Sequence, residues 1–156
     1  MKSLTRFKWF LWSFSRFKIP LIGYLKPKII SFNEKQVIVK LPLFRRSKNH
    51  LNSMYFGALA VGADLAGGLH SFYYSKSDKI KTSIVFKSFQ AQFLSRAESD
   101  VYFVCDMGDD VKIMIEESEK TKERINKLMI INAFTSYPEN PVQVATFSLE
   151  LSIKVL

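Results

Sequence analysis

The spacing of apolar residues changes from segment to segment along this chain, and the spacing sets the elements. Over the first nineteen residues Phe7, Phe10, Phe14 and Phe17 recur three and four apart, forming one stripe of an amphipathic helix. Trp9 and Trp12 fall on its far side, among Thr5, Lys8 and Arg16. Pro20, Gly23 and Pro27 break that helix. Within residues 29–44 the period becomes two, with Val37, Val39, Leu41 and Leu43 alternating with Ile38, Lys40 and Pro42, as in a strand. Between Lys48 and Lys76 the alternation vanishes. This stretch is almost continuously apolar or small and carries one charge, Asp64. It predicts a buried helix starting near Met54, capped by Asn52 or Ser53, and ending around Gly67 and Gly68.

Five more strands follow by pattern: residues 81–95, 100–106, 111–118, 124–136 and 142–155. In the first of these Val85, Phe89, Ala91 and Phe93 share a face. Met107 to Asp110 reads as a hairpin turn, and a short acidic helix is the rival reading over 111–118, since Val111, Met114 and Ile115 also fit helical spacing. Tyr137 to Pro141 is a turn. One early strand, one long helix without a polar side and a run of antiparallel strands describe an α+β domain whose sheet curls around its helix.

Composition sharpens this picture in two places. The single cysteine, Cys105, excludes an intramolecular disulfide and a multi-thiolate zinc site, and VYFVCD makes it a strand residue. The net charge of +9 is concentrated at one end: residues 1–33 hold seven basic residues and no acid. Such an arm binds nucleic-acid phosphates or an anionic membrane, and its amphipathic aromatics favour the membrane over nucleic acid. The Phe stripe has two uses, docking on the domain's own core or lying on lipid. The run WFLWSF is broken by Ser13 and flanked by charges, so it does not read as a removable signal. Asp64 and the glycine density argue against a membrane span in the central segment. A cytoplasmic protein is expected, peripheral at the inner face of the membrane if residues 1–19 lie on lipid.

The segment RSKNHLNSMYFGALAVGADLAGG resembles the opening of the central helix in hotdog-fold acyl-CoA thioesterases, and FKSFQAQFLSRAESDVYFVCD resembles the strand pair that follows it. The resemblance runs over about residues 29–155. The basic amphipathic helix and linker at 1–28 lie outside it, and it implies a hotdog domain at 29–156. In that fold an antiparallel sheet of about six strands wraps a long central helix. Asp64 falls at the position of the catalytic carboxylate in thioesterases of the phenylacetyl-CoA type. Phe56 and Gly57 fall at a Gly-Gly pair whose backbone N–H polarises the thioester carbonyl, with Tyr55 in place of the preceding His. The departure at Tyr55 and Phe56 keeps a second reading open, a hotdog protein that holds an acyl chain or acyl carrier without turnover.

The chemistry itself constrains the site. Thioester hydrolysis needs a carboxylate to activate water or attack directly, and donors aimed at the developing oxyanion. Burial among apolar residues raises the pKa of Asp64. Its rival role is a buried Asp bonded to neighbouring Ser, Asn or N–H groups. Phe56 lies two turns from Asp64, roughly 10–12 Å, too far for both to serve one carbonyl. A homodimer, or a dimer of dimers, with antiparallel helices would bring Asp64 of one chain near Phe56 of the other. Asn49 and Asn52 are candidates to orient water or the thioester, or simply cap the helix. His50, Ser53 and Tyr55 are candidate substrate contacts, and Arg45, Arg46, Lys48 and Arg96 candidate partners of CoA phosphates or solvated surface charges. His70 reads as a helix-end or surface residue. No metal and no cofactor beyond the CoA of an acyl-CoA or acyl-carrier substrate is implied.

Overall fold

A helix that is apolar on every side needs cover on every side, and here a curled sheet supplies most of it. The computed structural model describes residues 2–77 and 80–156, with side chains except at positions 2–4, 6, 7, 76 and 77. Two helices come first, α1 (Lys2–Phe17) and α2 (Pro20–Leu25). Pro20 occupies the first turn of α2, where its missing N–H costs nothing, so the residue that ends one helix starts the next. Strands β1 (Lys28–Phe32) and β2 (Val37–Leu41) form a hairpin. The side chain of Asn33 accepts the N–H groups of Lys35 and Gln36 and closes its turn. Then come α3 (Phe56–Ser77), β3 (Thr82–Phe93), β4 (Val101–Cys105), α4 (Gly108–Thr121), β5 (Ile125–Thr135) and β6 (Val142–Val155).

The six strands make one sheet in the order β1-β2-β4-β5-β6-β3, with every neighbouring pair antiparallel. Helix α3 touches β2, β3, β4, β5 and β6. The core lies between them, with Phe103, Met129, Ile131, Phe147, Leu149 and Leu151 fully buried. This is the expected α+β arrangement, a six-stranded antiparallel sheet around a long helix.

Four expectations are corrected. Residues 111–118 belong to α4, not to a strand, and Met107 to Asp110 open that helix and form no hairpin. Val111, Met114, Ile115 and Ser118 are buried at helical spacing while Ile113 is exposed, and Asp109 and Asp110 sit in the first turn, where the helix dipole favours them. The sixth strand is instead β1, whose alternation is broken by a bulge between Ile29 and Ser31. Helix α3 starts at Phe56 and runs past Gly67 and Gly68 to Ser77. Both glycines keep helical φ and serve close packing: added Cβ atoms would stand 3.3 Å from Ile131 and 3.8 Å from Phe86. In β3 a bulge between Phe86 and Ser88 turns Val85 away from Phe89, Ala91 and Phe93. These three pair with Leu149, Phe147 and Ala145 and share their inner face, whereas Val85 pairs with Ser152 on the outer one.

The N-terminal helix docks, though not with the expected stripe. Phe10 and Phe14 pack on Phe72 of α3 at ring distances of 5.6 and 5.1 Å, and Leu11 is buried. Phe17 points outward, 71% exposed. The side chain of Phe7 lies outside the described residues.

Candidate functional site

The N-terminal end of α3 is set by the loop before it. Asn49 is the centre of that loop: its Oδ1 accepts the N–H groups of Leu51 and Ser53, and its Nδ2 donates to Ser53 Oγ at 3.0 Å. Asn52 takes a left-handed φ of 60°, which Asn tolerates better than most residues. Neither Asn52 nor Ser53 caps the helix. The carbonyl of Tyr55 accepts the N–H groups of Ala58 and Leu59, so α3 begins on Tyr55 without a side-chain cap. Among the described residues the N–H groups of Phe56 and Gly57 have no acceptor. They are two of the four donors a helix N-terminus leaves open. Phe56 is 60% exposed, and the Tyr55 ring folds back over Gly57, where an added Cβ would meet it at 2.6 Å.

Asp64 sits two turns further along. Gly67 and Gly68, three and four residues on, face Phe86 of β3, so Asp64 is on the helix flank turned towards β3. It is half-buried, and among the described residues it has no hydrogen bond or ion pair. Burial alone pushes its pKa up from the usual carboxylate value. On the same side, beyond the bulge, Phe89 and Phe93 lie against Phe147 at 5.8 and 6.1 Å, yet remain 43% and 51% exposed. Among the described strands β3 pairs only with β6, so its outer edge is open along twelve residues. Sequence reasoning missed this exposed aromatic floor. The signal was there, since Ser88, Gln90 and Gln92 give the alternate positions no charge to hold them in solvent.

The other candidates divide. Met54 N–H donates to the Ala97 carbonyl at 2.8 Å, which ties the connection carrying Arg96 to the loop of Lys48, Asn49 and His50. Arg45, Lys48, His50 and Arg96 are exposed there. Arg46 instead lies over the Tyr24 ring of α2 at 4.6 Å. Asn49 and Ser53 spend their hydrogen bonds on each other and on the turn. His70 contradicts its expected surface position. It is fully buried in α3, its Nε2–H donates to the Asn33 carbonyl at 3.0 Å, and Phe32 packs on its ring. Burial pushes its pKa below 6.5, against smaller opposing effects of Asn33 and Asp109. Cys105 is buried and its thiol is pushed up to about 11 by that burial, which makes it a poor nucleophile. Among the described residues no three His, Cys, Asp or Glu side chains gather to hold a metal, and no helix is long and apolar enough to cross a membrane.

No family model and no curated protein matches the chain by sequence. Solved structures do. A protein of unknown function from Chlorobaculum tepidum, OLEI01261, superposes with a TM-score of 0.82 at 13% identity, over 97% of this chain and 96% of that one. A Shewanella oneidensis protein provisionally named a thioesterase gives 0.81 at 15% identity, over 99% of each chain. Thioesterase HI1161 of Haemophilus influenzae gives 0.61 at 17% identity, over 87% of this chain and 83% of that one. At these identities the likeness is one of fold, and the fold is the hotdog fold that thioesterase structures carry.

Proposed function

We propose that the protein hydrolyses acyl-CoA or acyl-carrier thioesters in the cytoplasm as a two-fold dimer. The observation that carries this reading is a half-buried carboxylate with a raised pKa and, among the described residues, no partner, on the same helix as two N–H donors that find no acceptor among those residues. Asp64 takes a proton from water as that water attacks the thioester carbon, or attacks the carbon itself to give a mixed anhydride that water then hydrolyses to the free acid. The Phe56 N–H of the other chain holds the oxygen on which charge develops, and collapse of the tetrahedral intermediate expels the thiolate. Dimerisation answers two features at once. It closes the distance between the carboxylate and the donors, and it satisfies a long, apolar, open strand edge of the kind that pairs with another chain. The exposure of Arg45, Lys48 and Arg96, on the loops tied to the helix N-terminus, supports a role for them in pairing with the phosphates of CoA.

The test is thiol release from a panel of acyl-CoAs by wild type and Asp64→Asn. Asn keeps the shape and removes the base, so turnover should fall by about 10²-fold or more. Because burial makes the ionised Asp64 a cost to the folded state, the variant should melt at or above the wild-type temperature. Unchanged turnover would remove Asp64 from the mechanism. The Tyr55 ring over the first turn of α3 favours the second reading, an acyl-binding protein without turnover. Wild type that binds acyl-CoA and releases no thiol would establish it.

A further inference from the structure

We propose that the cavity between α1 and the start of β1 binds the headgroup of an anionic phospholipid and seats this face of the protein on a bilayer. The proposal does not depend on Asp64 or on hydrolysis. The cavity measures about 530 Å³, within the range of about 300–1,000 Å³ usual for ligand sites. Its floor is apolar, made by the buried Leu11 and Ile29, and its walls carry Lys8, Lys26 and Lys28. Among the described residues none of these lysines is in a salt bridge, although Lys28 acts at longer range on Asp100, whose carboxyl it helps hold below its usual pKa. The first acidic residue of the chain is Glu34, and Lys26 is steered by the Phe44 ring at 5.9 Å. Three cations around an apolar floor suit a phosphate that continues into acyl chain.

The surface beside the cavity fits the same occupant. Docking uses the Phe10, Leu11 and Phe14 face of α1, which leaves Trp9, Trp12 and Phe17 pointing outward. They form one patch, with Trp9 and Trp12 rings 6.5 Å apart and Trp12 and Phe17 rings 6.2 Å apart. Trp9 is 68% exposed, and Leu21 of α2 is also exposed. Tryptophan flanked by lysine is the chemistry of a membrane interface. A single-stranded nucleic acid would use the lysines and the aromatic faces, but it has no use for an exposed aliphatic such as Leu21.

Trp9 and Trp12 are the only tryptophans in the chain, so tryptophan fluorescence, excited selectively over the six tyrosines, reports this patch alone. The full chain is sedimented and its emission recorded with phosphatidylcholine vesicles, with phosphatidylcholine/phosphatidylglycerol vesicles, and with a single-stranded RNA oligonucleotide. Binding to the anionic vesicles only, weakened by salt and accompanied by a blue shift, is expected. Replacing Lys8, Lys26 and Lys28 by Gln should weaken it about a hundredfold, from about fivefold per charge. Trp9→Ser with Trp12→Ser should weaken it too, and both variants, made at exposed positions, should keep the wild-type melting temperature. Equal binding to neutral vesicles, no vesicle binding, wild-type binding by the lysine variant, or preference for the RNA would each overturn the proposal.

Discussion

The two halves of α3 draw on the same small and apolar residues and end in opposite surroundings. From Leu65 onward the helix is closed in: Leu69, His70, Ser71 and Tyr74 are buried, and Phe72 carries the docked rings of α1. The Asn33 and Glu34 carbonyls accept from His70 and Tyr74, and Gly108 of α4 comes so close that a Cβ there would stand 1.9 Å from the Glu34 oxygen. From Phe56 to Asp64 the helix is half open. Among the described residues its first donors have no acceptors and its carboxylate has no partner, and the strand beside it exposes Phe89 and Phe93. A buried polar group with partners specifies the fold, whereas one without them is a standing cost, which among the described residues His70 Nδ1 and Ser71 Oγ carry even in the closed half. The closed half holds the molecule together, and the open half keeps the groups that another chain and a substrate would satisfy.

The sharpest break would come at the open half. Phe89→Glu with Phe93→Glu puts two charges on the aromatic floor, at half-exposed positions beside the core residue Phe147. It should give a monomer by light scattering, and hydrolysis should disappear with the dimer. A monomer that hydrolyses thioesters like wild type would contradict the shared site. At the closed half the loss should be in stability. Gly108→Ala drives a methyl group into the Glu34 carbonyl and towards His70 Nε2, and should cost about 3 kcal/mol in denaturant unfolding.

The smallest effect follows from His70. Its pKa is held below 6.5 in the folded state, so below that pH the unfolded chain takes up a proton that the folded one refuses. Stability should therefore be full above about pH 6.5 and fall as the pH drops towards the folded pKa. His70→Gln should flatten that slope. A melting temperature with the same dependence in both proteins would place the titration elsewhere.

How much of this was legible differs along the chain for physical reasons. The long apolar helix and the strands β5 and β6 show in the sequence because burial on a fixed period leaves a pattern. Helix α4 was ambiguous because Val111 and Ile115 fit both periods. Ser118 decides it through tertiary contacts, accepting from Val155 N–H and donating to the Glu123 carbonyl. Strand β1 was hidden by its bulge, and the bulge in β3 sent Val85 to the wrong face. Gly67 and Gly68 looked like a helix stop, when what they serve is the approach of Ile131 and Phe86. Of the candidate site, Asp64 stood out because charge is rare in an apolar run. The aromatic floor of β3 left only the uncharged Ser88, Gln90 and Gln92 as a sign, since exposure is a property of the assembled sheet.

The most direct measurement mixes two inactive proteins. Asp64→Asn lacks the base. Phe56→Pro lacks the oxyanion donor at the first helical position, where proline is tolerated and no hydrogen bond is lost. Each alone should retain the fold and the dimer and lose activity by about 10²-fold or more. If each site takes its carboxylate from one chain and its N–H from the other, subunit exchange assembles one site with both groups intact. Thiol release from acyl-CoA should then return on mixing. A mixture that exchanges subunits and stays as inactive as its parents would contradict the shared site.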